Sequence, residues 1–365
     1  MLKRYPFYIR GTVILFGLVL LVYALVNLGG ILIPLAFALM LGILLNPLTV
    51  FLENKCHLPH IAAISLSILS AILFFAGVGF LLYTQVMRFS DQAHIFQEKL
   101  AEMGVKAQGA ISQHLGITVQ KQQQYLKEGE TALKPILAST VGTILGWVST
   151  IVLLPVYTFL FLYYKALLLN FLYEVFAEAN EQDVSKVLTQ TKGAIQSYMI
   201  GLLLEAVAVA TLNSIALLIL GVNYAVLLAV IGALLNVLPF IGGILAVIPP
   251  ILIATLTKEG IHTQIWIVIA YLVIQFIDNH FLVPYIVSSK VRINALISIV
   301  IVFMGGALWG VAGMFLSIPF IGVLKIVFDR LPDLKPWGRL LGTEVPTQRK
   351  RPAWIGDRIG RRAKS

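Results

Sequence analysis

The chain has 365 residues, of which 59% are hydrophobic and 12% charged, and its mean hydropathy is +0.90. A soluble domain cannot bury that much apolar surface, so the composition excludes an ordinary soluble protein and indicates a protein of the lipid bilayer. The formal net charge is +10, and the single cysteine, Cys56, excludes an intrachain disulfide.

Apolar runs recur along the first half of the chain. A hydrocarbon core of about 30 Å requires roughly 20 apolar residues per helix. This length predicts spans at 11–29, 31–51, 61–87 and 139–164, with a polar insert at 88–138 between the third and the fourth. Residues 165–197 predict an amphipathic cytoplasmic helix that runs into a fifth span at 198–220, and a sixth span covers 264–283.

Two further apolar segments, 224–257 and 295–327, contain helix breakers. The first is divided at Pro239 to Gly243 into two arms of about 22 Å each, which is shorter than the hydrocarbon core. The second is interrupted by "GGALWGVAG" and by Pro319. We therefore expect an all-α, polytopic fold with about six full spans and two re-entrant helical hairpins. Eight transmembrane segments are the alternative.

The distribution of charge predicts the orientation of the chain in the membrane. Lys3, Arg4 and Arg10 precede the first span, and nine basic residues oppose three acidic ones from Asp333 to Ser365. Basic residues next to spans are typical of the cytoplasmic side, which places both termini there and makes the two hairpins enter from opposite faces. We expect the basic tail to bind anionic lipid, and we expect no nucleic-acid partner, since no basic module with interleaved aromatic residues is present.

The two interrupted segments resemble each other. A shift of 70 residues aligns "GILAVIP" with "GMFLSIP", and therefore Gly243 with Gly313 and Pro249 with Pro319. The same shift lays Glu205 on Gln275. We expect an inverted repeat, because interrupted helices at matching positions of two halves are typical of transporter binding sites.

These patterns divide the chain into five predicted regions. They are the first three spans (1–87), an extracytoplasmic insert (88–138), span four with the amphipathic helix (139–197), a transport core with both hairpins (198–332) and a basic cytoplasmic tail (333–365).

Polar residues and helix breakers inside apolar segments are the candidate site. A carboxylate in a span is costly unless it faces protein, water or a partner, so Glu205 and Asp278 are candidates for proton or cation coupling. Snorkelling of Glu205 to the surface and an ion pair between Asp278 and the loop containing Lys290 are the structural alternatives. The predicted solute or ion pathway consists of Glu205, Asn213, Asn236, Pro239, Gly242, Gly243, Pro249, Gln275, Asp278, Asn279, Gly310, Gly313 and Pro319.

Three motifs, "LPFIGGILAVIPP", "IDNHFLVPYIVSSKVRINAL" and "GGALWGVAGMFLSIPFIGVLKIVFDR", resemble the autoinducer-2 exporter (AI-2E) family of bacterial membrane proteins. The resemblance covers about residues 10–332. It implies a location in the bacterial inner membrane, export of a small molecule and coupling to an ion gradient. Some relatives are described as sodium/proton antiporters. Family members commonly have Glu where this chain has Asp278.

The sequence therefore predicts a homo-oligomeric secondary transporter that exports a small polar solute, autoinducer-2-like or another metabolite, coupled to protons or sodium. A sodium (or lithium)/proton antiporter is the second hypothesis, and a passive channel or oligomeric membrane scaffold is the third. No motif for an enzyme, a cofactor or a metal site is present.

Overall fold

The computed structural model describes residues 6–91, 152–176, 181–239, 242–287, 293–331 and 334–343, together with Lys99 and Gln124. The described chain is helical. Most of the predicted insert at 88–138, and most of the basic tail, lie outside the described residues.

Helices form the N-terminal part of the protein. Helix α1 (Phe7–Asn27) turns at Leu28 into α2 (Gly29–Cys56), and α3 (His60–Asp91) follows. Helix α4 (Val152–Tyr163) is bent by 63° from α5 (Lys165–Val175). Only Leu28 separates α1 from α2, so the chain turns tightly between these two helices.

The second part begins with α6 (Glu181–Ile219), whose 39 residues extend for about 58 Å. The part of the predicted amphipathic segment that begins at Glu181 therefore runs directly into span five, but the predicted single helix over 165–197 is wrong, because α5 ends at Val175. Helices α7 (Ala225–Asn236), α8 (Gly242–Ala246) and α9 (Ile248–Thr257) follow, and then α10 (His262–Ile277) continues into a π-helix, Asp278–Val287. The last elements are α11 (Ala295–Arg330) and α12 (Lys335–Leu341).

The chain reverses direction within residues 225–257, which we call hairpin A. Gly242 approaches the backbone of α7 so closely that an added Cβ would overlap the carbonyl oxygen of Leu235. At Gly232 an added Cβ would lie 3.5 Å from the Cβ of Ala246 on the other arm. Pro249 and Pro250 occupy the first turn of α9, where no helical N–H is lost.

Helix α11 also reverses, and we call residues 295–330 hairpin B. Non-helical backbone occurs at Trp309 and Gly310, and Gly310 has a φ of +59°, which glycine adopts without strain. Ser317 on the second arm donates a hydrogen bond to the carbonyl of Ile301 on the first arm at 3.0 Å. A straight helix would separate these two residues by about 24 Å. Pro319, which we predicted as part of the interruption, lies inside the second arm.

The two hairpins point in opposite directions along α6. Hairpin A begins next to the C-terminal end of α6, where Leu217, Val222 and Ala225 share one apolar cluster with α10. The open end of hairpin B lies near the N-terminal end of α6, since Arg330 is 4.0 Å from Asp183. The predicted opposition of the hairpins is therefore present in the fold, and Ala225 and Ala295 begin their first arms at the predicted spacing of 70 residues.

Large apolar side chains remain exposed on the helix surfaces, among them Val13, Leu15 and Phe16 of α1. Within the described residues, five helices are long and apolar enough to cross a membrane, or six if the bent α4–α5 pair forms one span. This count includes α11, which the reversal at Trp309 divides into two arms. The predicted all-α, multi-pass membrane fold is confirmed.

Candidate functional site

A cavity of about 770 Å³ lies between the two hairpins, α6 and α10. Its walls are the middle of α6, the tip of hairpin A, the junction of α10 with the π-helix, and the part of hairpin B nearer its open end. Most of the lining is apolar. The tip of one hairpin therefore meets the base of the other, as their opposite directions require.

Two carboxylates and three amides form the polar part of this cavity. The side-chain amide of Asn236 donates to Asp278 Oδ2 at 2.9 Å and lies 3.5 Å from Glu205 Oε1. Gln275 Nε2 donates to the same Asp278 oxygen at 3.3 Å and reaches Asn279 Oδ1 at 3.5 Å. We call these five residues the carboxylate–amide cluster.

Each member of the carboxylate–amide cluster lies where a helix begins, ends or changes its winding, except Glu205. Asn236 is the last residue of α7, immediately before the tip of hairpin A. Asp278 is the first residue of the π-helix, and Gln275 lies three residues before it on α10. Segments of π-helix are rare in proteins, and those that do occur are frequently located at functional sites. Glu205 projects from the continuous helix α6.

Both carboxylates are removed from solvent. Asp278 is 2% exposed and Glu205 is 6% exposed. Among the residues that the structure describes, neither has a Lys, Arg or His in salt-bridge distance. Buried charges of the same sign require a proton or a cation as well as hydrogen bonds, so the cluster is suited to bind one.

Two polar atoms at this cavity lack a hydrogen-bond partner within the described part of the chain. They are Asp278 Oδ1 and the hydroxyl of Tyr271. Buried polar groups are nearly always paired in native proteins. Both residues line the cavity, but the two atoms themselves are buried, so an occupant of the cavity reaches them only if neighbouring side chains shift.

Eight of the thirteen residues predicted for the pathway line this cavity. They are Glu205, Asn236, Pro239, Gly243, Gln275, Asp278, Asn279 and Pro319. Gly243 packs directly on Gln275, and an added Cβ would overlap the Gln275 amide. The absence of a side chain at Gly243 therefore gives Gln275 the room to reach Asp278.

The other five predicted residues lie elsewhere. Asn213 is 1% exposed and lies next to Gly232, inside the packing of α6 against hairpin A. Gly242 and Pro249 shape hairpin A without lining the cavity. Gly310 and Gly313 form the tip of hairpin B, which contacts α1 through Trp309 rather than the tip of hairpin A. We expected both tips to line one pathway. They do not, since the second arm of hairpin B, residues 311–330, is about 30 Å long and carries its tip past the cavity.

Sequence reasoning missed two cavity-lining aromatic residues, Tyr198 and Tyr271. Tyr198 precedes Glu205 by seven residues, and Tyr271 precedes Asp278 by seven. This spacing places each tyrosine on the same helical face as its carboxylate, two turns away. A search for aromatic residues at this spacing would have identified both. Within the described residues, no three His, Cys, Asp or Glu side chains come together as metal ligands.

Comparison with known proteins agrees with this architecture. A family model described as "AI-2E family transporter" matches residues 13–333. YrrI of Bacillus subtilis (strain 168), assigned as a transport protein, is 25% identical over 308 residues, which cover 81% of this chain and 85% of YrrI. PerM of Escherichia coli (strain K12), assigned as a permease, is 31% identical over 209 residues, which cover 57% of this chain and 58% of PerM.

A protein of Haemophilus influenzae that is also named as a transport protein is 25% identical over 325 residues. These residues cover 86% of this chain and 90% of that protein. The family match covers most of the chain, including both hairpins and the carboxylate–amide cluster. The protein is therefore a multi-pass membrane protein with a transport role, and it belongs to the AI-2E family of transporters.

Proposed function

We propose that the protein is a secondary transporter that exports a small polar solute across the bacterial inner membrane, driven by a proton or sodium gradient. The observation that carries the proposal is the amide of Asn236, which joins Asp278 and Glu205 from the tip of a broken hairpin. One side chain on a hairpin tip thus links two buried acidic groups on two other helices. Such an arrangement couples the occupancy of the acidic groups to the position of the hairpin.

The proposed mechanism is alternating access. With the carboxylates empty, the Asn236 amide lies between them and holds the tip of hairpin A against the cavity. A proton or a cation that binds the carboxylates replaces the amide and releases the tip. Irregular backbone at membrane depth is tolerated where it lines such a water-filled cavity. The coupling free energy equals the difference between the free energies with which the ion binds in the two positions of the hairpin.

The orientation and the surroundings of the transporter are part of the proposal. Both termini lie in the cytoplasm, and hairpin A enters from outside while hairpin B enters from inside. Residues 198–332 form the transport core, residues 1–87 and 139–197 support it, and residues 88–138 form an extracytoplasmic insert. The basic tail at 333–365 binds anionic lipid, and the apolar outer faces of the N-terminal helices form a homo-oligomeric interface.

The test is gradient-driven flux into proteoliposomes that contain the full chain. Substitution Glu205→Gln is expected to abolish the dependence of flux on the proton or sodium gradient, and to leave the size-exclusion profile and helical content unchanged. The matched control is Glu259→Gln, which neutralises an exposed carboxylate outside the cavity. Unaltered gradient dependence in Glu205→Gln would reject the coupling role, and absence of saturable flux for every solute would favour a passive channel or a scaffold.

A sodium (or lithium)/proton antiporter is the second candidate, and the free Asp278 oxygen favours it. Carboxylate and amide oxygens of Glu205, Asp278 and Asn279 are ligands suited to a small hard cation. Proteoliposomes loaded with sodium, with and without an organic solute, separate the two functions. Proton movement that requires only sodium supports the antiporter, and proton movement that requires the organic solute supports the exporter.

A further inference from the structure

The cavity has an imbalance of charge. Two buried carboxylates, Glu205 and Asp278, line it, and no Lys, Arg or His is present among the described residues of its wall. An anionic solute would meet a charge of its own sign whenever either carboxylate is ionised, and this repulsion disfavours its binding. The described part of the wall therefore disfavours anions. The loop that contains Lys290 and Arg292, which we considered as a partner of Asp278, lies outside the described residues.

Both unpaired atoms of the cavity-lining residues can accept a hydrogen bond. Asp278 Oδ1 is an acceptor, and the hydroxyl of Tyr271 is both an acceptor and a donor. Both residues are more than nine-tenths buried and lie seven residues apart on the same helical face. A solute that donates hydrogen bonds satisfies both atoms if neighbouring side chains shift.

The Asn236 amide shows what type of group fits between the carboxylates. Its NH₂ group points at Asp278 Oδ2 and Glu205 Oε1. An ammonium group also presents N–H donors, and it carries the positive charge that the amide lacks. An ammonium group therefore forms an ion pair with a carboxylate in addition to the hydrogen bond, so an ammonium ion competes effectively for this position.

The size and the walls of the cavity indicate the rest of the solute. A volume of about 770 Å³ is in the range that accommodates an organic molecule rather than a single bare ion. Apolar side chains, including Leu202, Val268 and Leu272, form the walls away from the carboxylates. Tyr198 and Tyr271 add aromatic rings, whose faces attract organic cations.

We propose that the transported solute is a small organic ammonium ion with an apolar body, held between Glu205 and Asp278 in place of the Asn236 amide. This proposal rests on the transport function proposed above. It adds the charge and the chemical class of the solute, and it makes the same two carboxylates the binding groups. Export then exchanges the ammonium ion for a proton or sodium on these carboxylates.

Binding of three ligands of nearly equal shape tests the charge requirement. Phenethylammonium, phenethyl alcohol and phenylpropanoate are titrated into the purified full chain in nanodiscs, with heat as the readout. We expect the neutral and the anionic ligand to bind at least about 10-fold more weakly than the cation, since neither carries the positive charge that pairs with the carboxylates. Equal affinity for the cation and the alcohol, or tighter binding of the anion, would overturn the proposal.

Variants assign the binding to this cavity. Glu205→Gln and Asp278→Asn are each expected to weaken phenethylammonium binding at least about 10-fold, while Glu259→Gln leaves it unchanged. Both substitutions keep the size of the side chain, and size-exclusion and thermal unfolding show whether each variant is folded. If one of these two variants does not fold, binding of phenethylammonium to the other variant tests the proposal. A folded variant of either residue that binds phenethylammonium like the unchanged chain would overturn the proposal.

A parallel flux measurement separates this proposal from the transport function itself. Proteoliposomes are assayed for flux of labelled phenethylammonium and of a panel of neutral polyols, and the polyol flux is measured again with unlabelled phenethylammonium as a competitor. Saturable, Glu205-dependent polyol flux that phenethylammonium does not inhibit would sustain the transporter and reject the ammonium solute. Saturable flux that phenethylammonium inhibits, with loss of inhibition in Glu205→Gln, supports both. Absence of saturable flux together with cation-selective binding would reject the transport function and sustain the ammonium site.

Discussion

The indole Nε1 of Trp309 donates a hydrogen bond to the backbone carbonyl of Leu25 at 2.9 Å and so joins the tip of hairpin B to the end of α1. The same ring packs on Gly29, where an added Cβ would lie 3.2 Å from it. Further along, hairpin B shares an apolar cluster with α2 and with α6, which includes Met40, Ile195 and Leu316. Hairpin B is therefore attached to the α1–α2 pair at its tip and also packs on α6 along its second arm. The apolar core of hairpin A is formed with the C-terminal part of α6 and with α10.

The hydrogen bond of Trp309 predicts a measurable contribution to stability. Substitution Trp309→Phe keeps most of the apolar ring and removes the donor, so we expect a loss of about 0.5–1.5 kcal/mol in the free energy of unfolding. Thermal or denaturant unfolding in detergent measures this loss. Trp266→Phe, at an exposed position of α10, is the matched control and should change the free energy of unfolding little. Equal stability of the two variants would argue against the attachment of the tip.

The closeness of the two arms of hairpin B yields a second prediction. An added Cβ at Gly313 would overlap the carbonyl oxygen of Gly305 on the other arm. Gly313→Ala should therefore separate the arms and destabilise the protein by about 1–3 kcal/mol, as overpacking typically does. At Gly79 an added Cβ meets nothing within 4 Å, so Gly79→Ala serves as the control. The two unfolding curves give the comparison, and a fully stable Gly313→Ala would contradict the close packing.

Much of this fold follows from local sequence properties. Apolar length predicted the spans, and Pro239 with Gly242 and Gly243 predicted the break of hairpin A, because both depend on nearby residues only. The shift of 70 residues predicted equivalent starting points at Ala225 and Ala295. The burial of Glu205 and Asp278 followed from the cost of a carboxylate in an apolar segment.

Other features depend on contacts between distant residues and were not predictable from local patterns. Nothing near Gly310 in the sequence indicates that Trp309 pairs with Leu25, which is 284 residues away. This contact draws the tip of hairpin B away from the cavity. The bridge from Asn236 to Asp278 likewise spans 42 residues and depends on how hairpin A packs on α10. The interruption at Pro319 was placed incorrectly because neighbouring groups in a hairpin accommodate a proline inside a helix.

Asn294 provides a third prediction, since it connects the base of hairpin B with α12. Its Oδ1 caps the hairpin by accepting from the Ile297 N–H at 2.9 Å, and its Nδ2 donates to the Leu340 carbonyl at 2.6 Å. Asn294→Asp retains the cap and removes the donor, whereas Asn294→Ala removes both. We expect both variants to increase hydrogen exchange in α12, and only Asn294→Ala to lose about a further 1 kcal/mol from the missing cap.

The comparison of the two variants separates the roles of Asn294. If exchange in α12 were unchanged in Asn294→Asp, the side-chain donor would not hold the helix. If both variants lost the same stability, the cap would not contribute. Ile293 and Ser298 lie on either side of Asn294 and line the cavity, so release of α12 should also alter solute flux.

The opposite directions of the hairpins predict opposite exposure of their open ends. Glu259 lies between α9 and α10 at the open end of hairpin A, and Trp337 lies in α12 at the open end of hairpin B. Both side chains are exposed, and Cys56→Ser first removes the native thiol. With both termini in the cytoplasm, a membrane-impermeant thiol reagent applied to intact spheroplasts should modify Glu259→Cys and not Trp337→Cys. After permeabilisation, both should react. If both cysteines were modified from the outside, or neither before permeabilisation, the two hairpins would not enter from opposite faces. If only Trp337→Cys were modified from the outside, the hairpins would still enter from opposite faces, but the orientation of the protein in the membrane would be inverted.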